Sequence, residues 1–330
     1  MNETLALLLC DASPALRYRV LTELLDAPVD DEEATDLDTR RRRMPHLRQL
    51  LAIDAHDAKE LSWTLCRLGY LGFDRTESGV AEIAEWLFAR QSADGSFPIA
   101  DFYLGLGESR YSMMPLQAAI PLRGLAAVGY ATDPRAERAY DWLLGQRLDD
   151  GAWPVGVEAG QPGYIAGYRK LPGSQGCRVN TEGAIACLVL HPERRRSEAT
   201  RAALDLVLQR ETREQWSLGS EVSRLVGVGP VPGFITSYAR FDLAFVLELA
   251  VRSGASLDDA RVSELVAFLH GLRGSAGLWD HPERPDLSRW LTFDLLRTMR
   301  RFDSGDWLGG APRLPFRAYP RRPPGPSARA

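Results

Sequence analysis

Two carboxylates stand where a carboxyl group can serve as a proton donor. Asp242 lies in Phe241-Asp242-Leu243-Ala244-Phe245 and Asp294 in Leu291-Thr292-Phe293-Asp294-Leu295-Leu296, both almost wholly apolar settings. Burial disfavours the ionised form, so an acid in such a place keeps its proton to higher pH and can hand it to a substrate. Glu182 is a third acid, at the start of an apolar stretch. Trp63, Tyr111, Tyr168, Tyr238 and Trp290 offer ring faces that stabilise positive charge. Arg178 and Arg240 offer guanidiniums that hold an anionic group such as a diphosphate. The set predicts Asp242, Asp294 and Glu182 as catalytic acids, with these aromatics and arginines binding substrate. Each residue also has a plain structural reading. Acids are favoured at helix N-termini by the macrodipole alone, and Arg240 with Asp242 can be a simple ion pair.

Helices must position these groups. Helical periodicity dominates the chain and strand alternation is nearly absent. Segments 81–91, 135–146, 198–209 and 260–273 are amphipathic with a charged face. Segments 61–70, 113–128, 181–190, 241–251 and 291–301 are more apolar. A helix apolar on most sides is buried on most sides. The alternation predicts an all-α fold with an inner ring of apolar helices inside an outer amphipathic ring. In such a ring, ligand-facing residues lie at the inner helix N-termini and in the loops before them, here 101–112, 158–180, 217–237 and 280–289. Before the rings, one helix is expected after Ser13-Pro14 and another over 36–51.

A motif returns after each amphipathic segment. It reads Gln91 to Gly95 to Phe97, then Gln146 to Gly151 to Trp153, with weaker copies ending at Trp216 and Trp279. The closing aromatics recur roughly every 60 residues, the mark of one supersecondary unit repeated. The glutamine can bond backbone groups at a helix end, the glycine allows φ > 0, and the aromatic packs on the next unit. This is stabilising machinery rather than chemistry.

The motif resembles the repeat of squalene/hopene cyclases and protein prenyltransferase β subunits, over about residues 55–302. Segments Ser13 to Leu21, Tyr238 to Leu243 and Ser288 to Thr292 are similar to a bacterial group of single-toroid, squalene-cyclase-like proteins. The resemblance implies an α/α toroid of about five to six helical hairpins. It also implies a terpenoid cyclase-like enzyme of the isomerase or lyase kind. Its substrate would be an isoprenoid or other apolar small molecule, changed by acid-initiated cyclisation or isomerisation. The chain departs from those families. It has no Asp-x-Asp-Asp acid motif; Asp149-Asp150 belongs to the repeat and Asp36-Leu37-Asp38 to the N-terminal region. It has no Asp-Asp-x-x-Asp and no Asp-x-Cys, so no zinc or other metal is expected, and no cofactor.

The expected organisation is an N-terminal helical segment, 1–52, packing on a toroid, 53–310, followed by a Pro/Arg-rich disordered tail, 311–330. Net charge −4 speaks against a nucleic-acid partner, and no apolar run reaches membrane-spanning length. The Arg40–Arg43 run reads as a solvated helix face. Cys66 and Cys187 read as buried thiols, and the N-terminus lacks a basic signal region, which predicts a cytoplasmic setting. The alternative to an enzyme is a non-catalytic toroid scaffold that binds a lipid, a peptide or a partner protein.

Overall fold

Short polar side chains start most of the helices. The Ser13 hydroxyl accepts the Leu16 N–H, with Pro14 at the first helical position. Asp31, Asp57, Asp133, Ser197 and Asp259 cap later helices in the same way. The computed structural model describes residues 3–51, 57–97, 118–154, 157–158, 161–162, 171, 173–209, 211–212, 216–227, 241–274, 276–302 and 317–318. Among the described residues there are fourteen α-helices and only two-residue strands, so the fold is all-α.

The N-terminal helices are α1 (Glu3–Leu9), α2 (Pro14–Arg19), α3 (Glu32–Arg42) and α4 (Pro45–Leu51). The single helix expected over 36–51 is two, because Pro45 has no N–H to donate and its ring obstructs the preceding turn. The chain continues from α2 through a π turn, Val20–Leu24.

Helices α5 (Ala58–Tyr70), α7 (Ile120–Leu125), α9 (Arg178–Leu188), α12 (Leu243–Arg252) and α14 (Ser288–Arg300) form the apolar set. All eleven residues of α9 are buried. Helix α5 packs on α7, α7 on α9, α12 on α14, and α14 on the Val20–Leu24 turn. Helices α6 (Ser78–Phe88), α8 (Pro134–Gly145), α10 (Glu198–Leu208) and α13 (Ala260–Gly271) bury one face each, against α5, α7, α9 and α12 respectively. Apolar and amphipathic helices thus alternate along the chain, each amphipathic helix resting on one apolar helix; the two sets are called inner and outer below. A further short helix, α11 (Ser220–Val226), falls in a stretch read from the sequence as loop. Its charged residues face inward, which hid its helical pattern.

Three of the four motif copies make the same turn bonds. In the first three-residue turn Ser92 N–H donates to Ser96 O and Gly95 N–H to Ser92 O; Leu148, Gly151 and Ala152 repeat this, as do Gly274, Gly277 and Leu278. The Trp153 indole N–H donates to Leu143 O at 2.7 Å, and its backbone N–H to Thr181 Oγ1 at 3.0 Å. Trp279 does likewise with Leu269 O at 2.6 Å and Thr292 Oγ1 at 2.9 Å. Each tryptophan therefore pins an outer helix to the next inner one. Gln91 Nε2 ties its own turn to the next outer helix, through Gly95 O at 3.0 Å and Arg135 O at 2.9 Å.

The Arg40–Arg43 run is only partly a solvated face. Arg41 is buried between the Tyr18 and Phe73 rings, 4.3 and 4.5 Å from their centroids, and donates to Leu71 O at 3.0 Å. Cys66 and Cys187 are buried, as expected.

Gly95 has φ +95°, and a Cβ there would collide with the Arg138 carbonyl. Gly95→Ala should cost about 1–3 kcal/mol. A urea melt that leaves the midpoint unchanged would show that the turn does not carry the repeat.

Candidate functional site

The carbonyl ends of the inner helices converge on a cavity of about 230 Å³. Each inner helix reaches it: α5 through Tyr70, α7 through Arg123, α9 through Ala186, α12 through Glu248 and α14 through Arg297. The N-terminal segment adds Arg19 and Glu23, and α11 adds Leu225. The lining is mixed: Ala126, Ala186, Val189, Leu190 and Leu249 are aliphatic, and Arg19, Glu23, Arg123, Glu248, Arg252, Arg297 and Arg301 are charged.

The charges form a connected network. Arg297 reaches Glu248 at 3.0 Å, Asp294 at 3.1 Å and Glu23 at 3.6 Å. Arg252 meets Glu248 at 2.9 Å, Arg19 meets Glu23 at 2.6 Å, and Arg301 meets Glu23 at 3.4 Å. Burial raises the Glu23 and Glu248 carboxyls, but the surrounding guanidiniums prevail and hold both down at about 2. A second cluster borders the cavity, where Glu221 of α11 pairs with Arg123 at 2.5 Å and with Arg224. Arg67 Nε donates to the Arg224 carbonyl at 3.0 Å, so α11 is bonded to both α5 and α7.

The expected acids fall into different surroundings. Asp242 is buried, and both its oxygens are occupied. Oδ1 accepts from Gly219 N at 3.1 Å and Ala244 N at 3.2 Å, and Oδ2 from Glu221 N at 2.7 Å. One carboxylate thus caps the starts of α11 and α12 together. Burial pushes its pKa up while the N–H donors pull against that shift. Glu182 is buried and accepts from Arg178 Nη1 at 3.0 Å, one turn away on α9, with the Arg178 guanidinium 5.7 Å from the Phe241 ring centroid. Asp294 accepts from the Tyr70 hydroxyl at 2.9 Å. Burial, with Glu248 close by, pushes its pKa up to about 6 against the attraction of Arg297. Its Oδ1 is near enough to Arg297 for Coulomb attraction but off the axis of a hydrogen bond.

Of the expected binding residues, Trp63 is fully buried with the Arg224 guanidinium 5.7 Å from its ring. Trp290 is buried with the Tyr70 ring 5.5 Å away. Tyr111, Tyr168, Tyr238 and Arg240 lie outside the described residues, as do loop 101–112 and parts of loops 158–180 and 217–237. The cavity among the described residues sits at the opposite helix ends from those loops. Arg123, Glu248 and Arg297 were passed over in the sequence, although each interrupts an apolar helical run as Asp242 and Asp294 do.

Ser223 Oγ lies 2.7 Å from His281 Nε2, but this is no nucleophile and base. His281 Nδ1 accepts the N–H groups of Glu283 and Arg284, so the proton sits on Nε2, which faces Gly219 O at 2.9 Å. Among the described residues no cluster of three or more His, Cys, Asp or Glu fits a metal ion. Burial pushes the Cys66 thiol up to about 12, so it carries little thiolate at neutral pH. No described helix is long and apolar enough to cross a membrane. No protein-family model matches the chain, and no curated protein matches it.

Asp242→Asn replaces one acceptor oxygen with an amide donor facing backbone N–H groups. It should lower stability by about 1–3 kcal/mol, read as a reduced denaturation midpoint. Asp294 carries the opposite kind of linkage. Its protonated form stabilises the fold below the usual value of 3.8, and that contribution is lost as pH rises through about 6. Relative to Asp294→Asn, the wild type should lose on the order of 3 kcal/mol between about pH 4 and about pH 7. Parallel stability curves for the two proteins across that window would contradict the shift.

Proposed function

We propose that the chain forms a single α/α toroid and binds a small amphiphilic molecule, of isoprenoid or similar lipid-like character, in the cavity at the inner helix C-termini. One observation carries the reading: every inner helix contributes to the wall of the same cavity, whose lining combines aliphatic and charged residues. Closure of the ring is supported where the first inner helix meets the last, through Tyr70 of α5 and Asp294 and Trp290 of α14. The volume of about 230 Å³ lies below the roughly 300–1,000 Å³ of drug-sized sites, which favours a short ligand.

A second reading is catalytic, a terpenoid cyclase-like enzyme that protonates an isoprenoid to start cyclisation or isomerisation. Asp294 favours it, because its raised pKa suits a proton donor and the Tyr70, Trp290 and Phe293 rings cluster beside it. Arg297 and Arg19 weigh on the other side, since a carbocation gains nothing from neighbouring guanidiniums. Asp242 and Glu182 add little to catalysis while their oxygens are engaged with backbone N–H groups and Arg178.

Ala186 is buried on α9 and lines the cavity. Ala186→Leu should weaken binding of a neutral, fluorescent apolar probe by about tenfold, the scale of a filled site, with an unchanged helical circular dichroism spectrum. A wild-type chain that binds no such probe, and that carries no small molecule in native mass spectrometry, would count against the proposal. For the catalytic reading, Asp294→Asn should abolish isoprenoid turnover and leave probe binding intact.

A further inference from the structure

We infer that the charged residues lining this cavity form an oxyanion site, and that its ligand carries a phosphate or diphosphate group. The inference rests on the cavity being a ligand site. Its first support is a charge imbalance. The two joined clusters around the cavity hold six guanidiniums, Arg19, Arg123, Arg224, Arg252, Arg297 and Arg301, against the carboxylates of Glu23, Glu221, Glu248 and Asp294. The excess is two positive charges even with Asp294 ionised. The inner helices also point their carbonyl ends here, which adds partial negative charge. Arg19 donates to one of those carbonyls, at Tyr70, and Arg252, Arg297 and Arg301 line the cavity with it. Burial, and then repulsion from Arg297 and Arg252, hold the Arg301 guanidinium below its usual basicity, as expected where positive charge is in surplus.

The second support is a missing acceptor. Arg297 is 4 % exposed, lines the cavity, and its Nε–H has no hydrogen-bond partner. A buried N–H without an acceptor is costly, and an oxyanion in the cavity supplies one. A doubly charged phosphate matches the two-charge surplus, and planar guanidinium forks suit its oxygens. The aliphatic residues of the lining then take a short hydrocarbon portion. The phosphate can come from a free phosphorylated metabolite or from a lipid headgroup, and the two arms of the test separate these sources.

The full-length chain is titrated calorimetrically with inorganic pyrophosphate and with butyl phosphate. In parallel it is sedimented with vesicles of phosphatidylcholine with and without phosphatidic acid. Arg252 and Arg301 are partly exposed, with side-chain exposures of 25 % and 43 %, and in Arg252→Gln and Arg301→Gln the carboxylates Glu248 and Glu23 each keep Arg297 as a partner. Binding to the soluble phosphates that weakens about tenfold in each variant supports the site with a free metabolite as its source. Phosphatidic-acid-dependent sedimentation, lost in the same variants, supports it with a lipid source. Absence of binding in both arms overturns it, and so does binding that the variants leave unchanged. Retained binding of the neutral apolar probe together with no phosphate binding would remove this inference alone. Loss of both would remove the cavity proposal too.

Discussion

A charge carried into a protein interior has to find a counter-charge there, and the inner layer of this protein is organised around that requirement. Arg123, Glu221, Arg297 and Asp294 are all buried. Each pairs across helices or within one: α7 with α11, α12 with α14, α14 with the turn after α2. Removing one partner of such a pair strands the other, which costs several kcal/mol where the pair is well buried. The network therefore does for the inner helices what apolar packing alone does not. It sets which helices stand beside one another and holds the short α11 against α5 and α7. It also prevents the cavity from being filled by aliphatic side chains.

The outer layer obeys a different rule. There the recurring tryptophan and glycine join successive hairpins by directed bonds to backbone carbonyls and to inner-helix threonines. This part was readable in the sequence, because the motif recurs at a fixed period and its residue types state their conformational needs. The approximate positions of the inner and outer helices followed from apolar periodicity, and the start of α2 from its Ser13 cap. Helix α11 was not readable. Its Glu221 and Arg224 look solvent-facing in sequence, and only the partners on α7 and within α11 itself make their burial sensible.

The candidate site was legible in part. The apolar surroundings of Asp242 and Asp294 signalled burial correctly, and both are buried. Sequence could not separate their uses. Asp242 meets three backbone N–H groups and is a capping residue, whereas Asp294 meets a tyrosine hydroxyl and a guanidinium in the neighbourhood of the cavity. What distinguishes them is the partner each meets, and those partners come from elements far along the chain. The same reasoning applied to Glu248, Arg123 and Arg297 would have marked the other end of the helices, since each is a charge set in an apolar run.

The bonds from Trp153 and Trp279 to threonines have one more consequence. Trp153 reaches a threonine 28 positions later, and Trp279 reaches one only 13 positions later. The two anchor points are the same in each hairpin, while the length of chain strung between them differs by a factor of about two. The chain between two such anchor points can therefore be longer or shorter while the anchor points stay in place. Length in these segments is decoupled from the frame, since the tryptophan, the threonine and the helices they join keep the same relation in both.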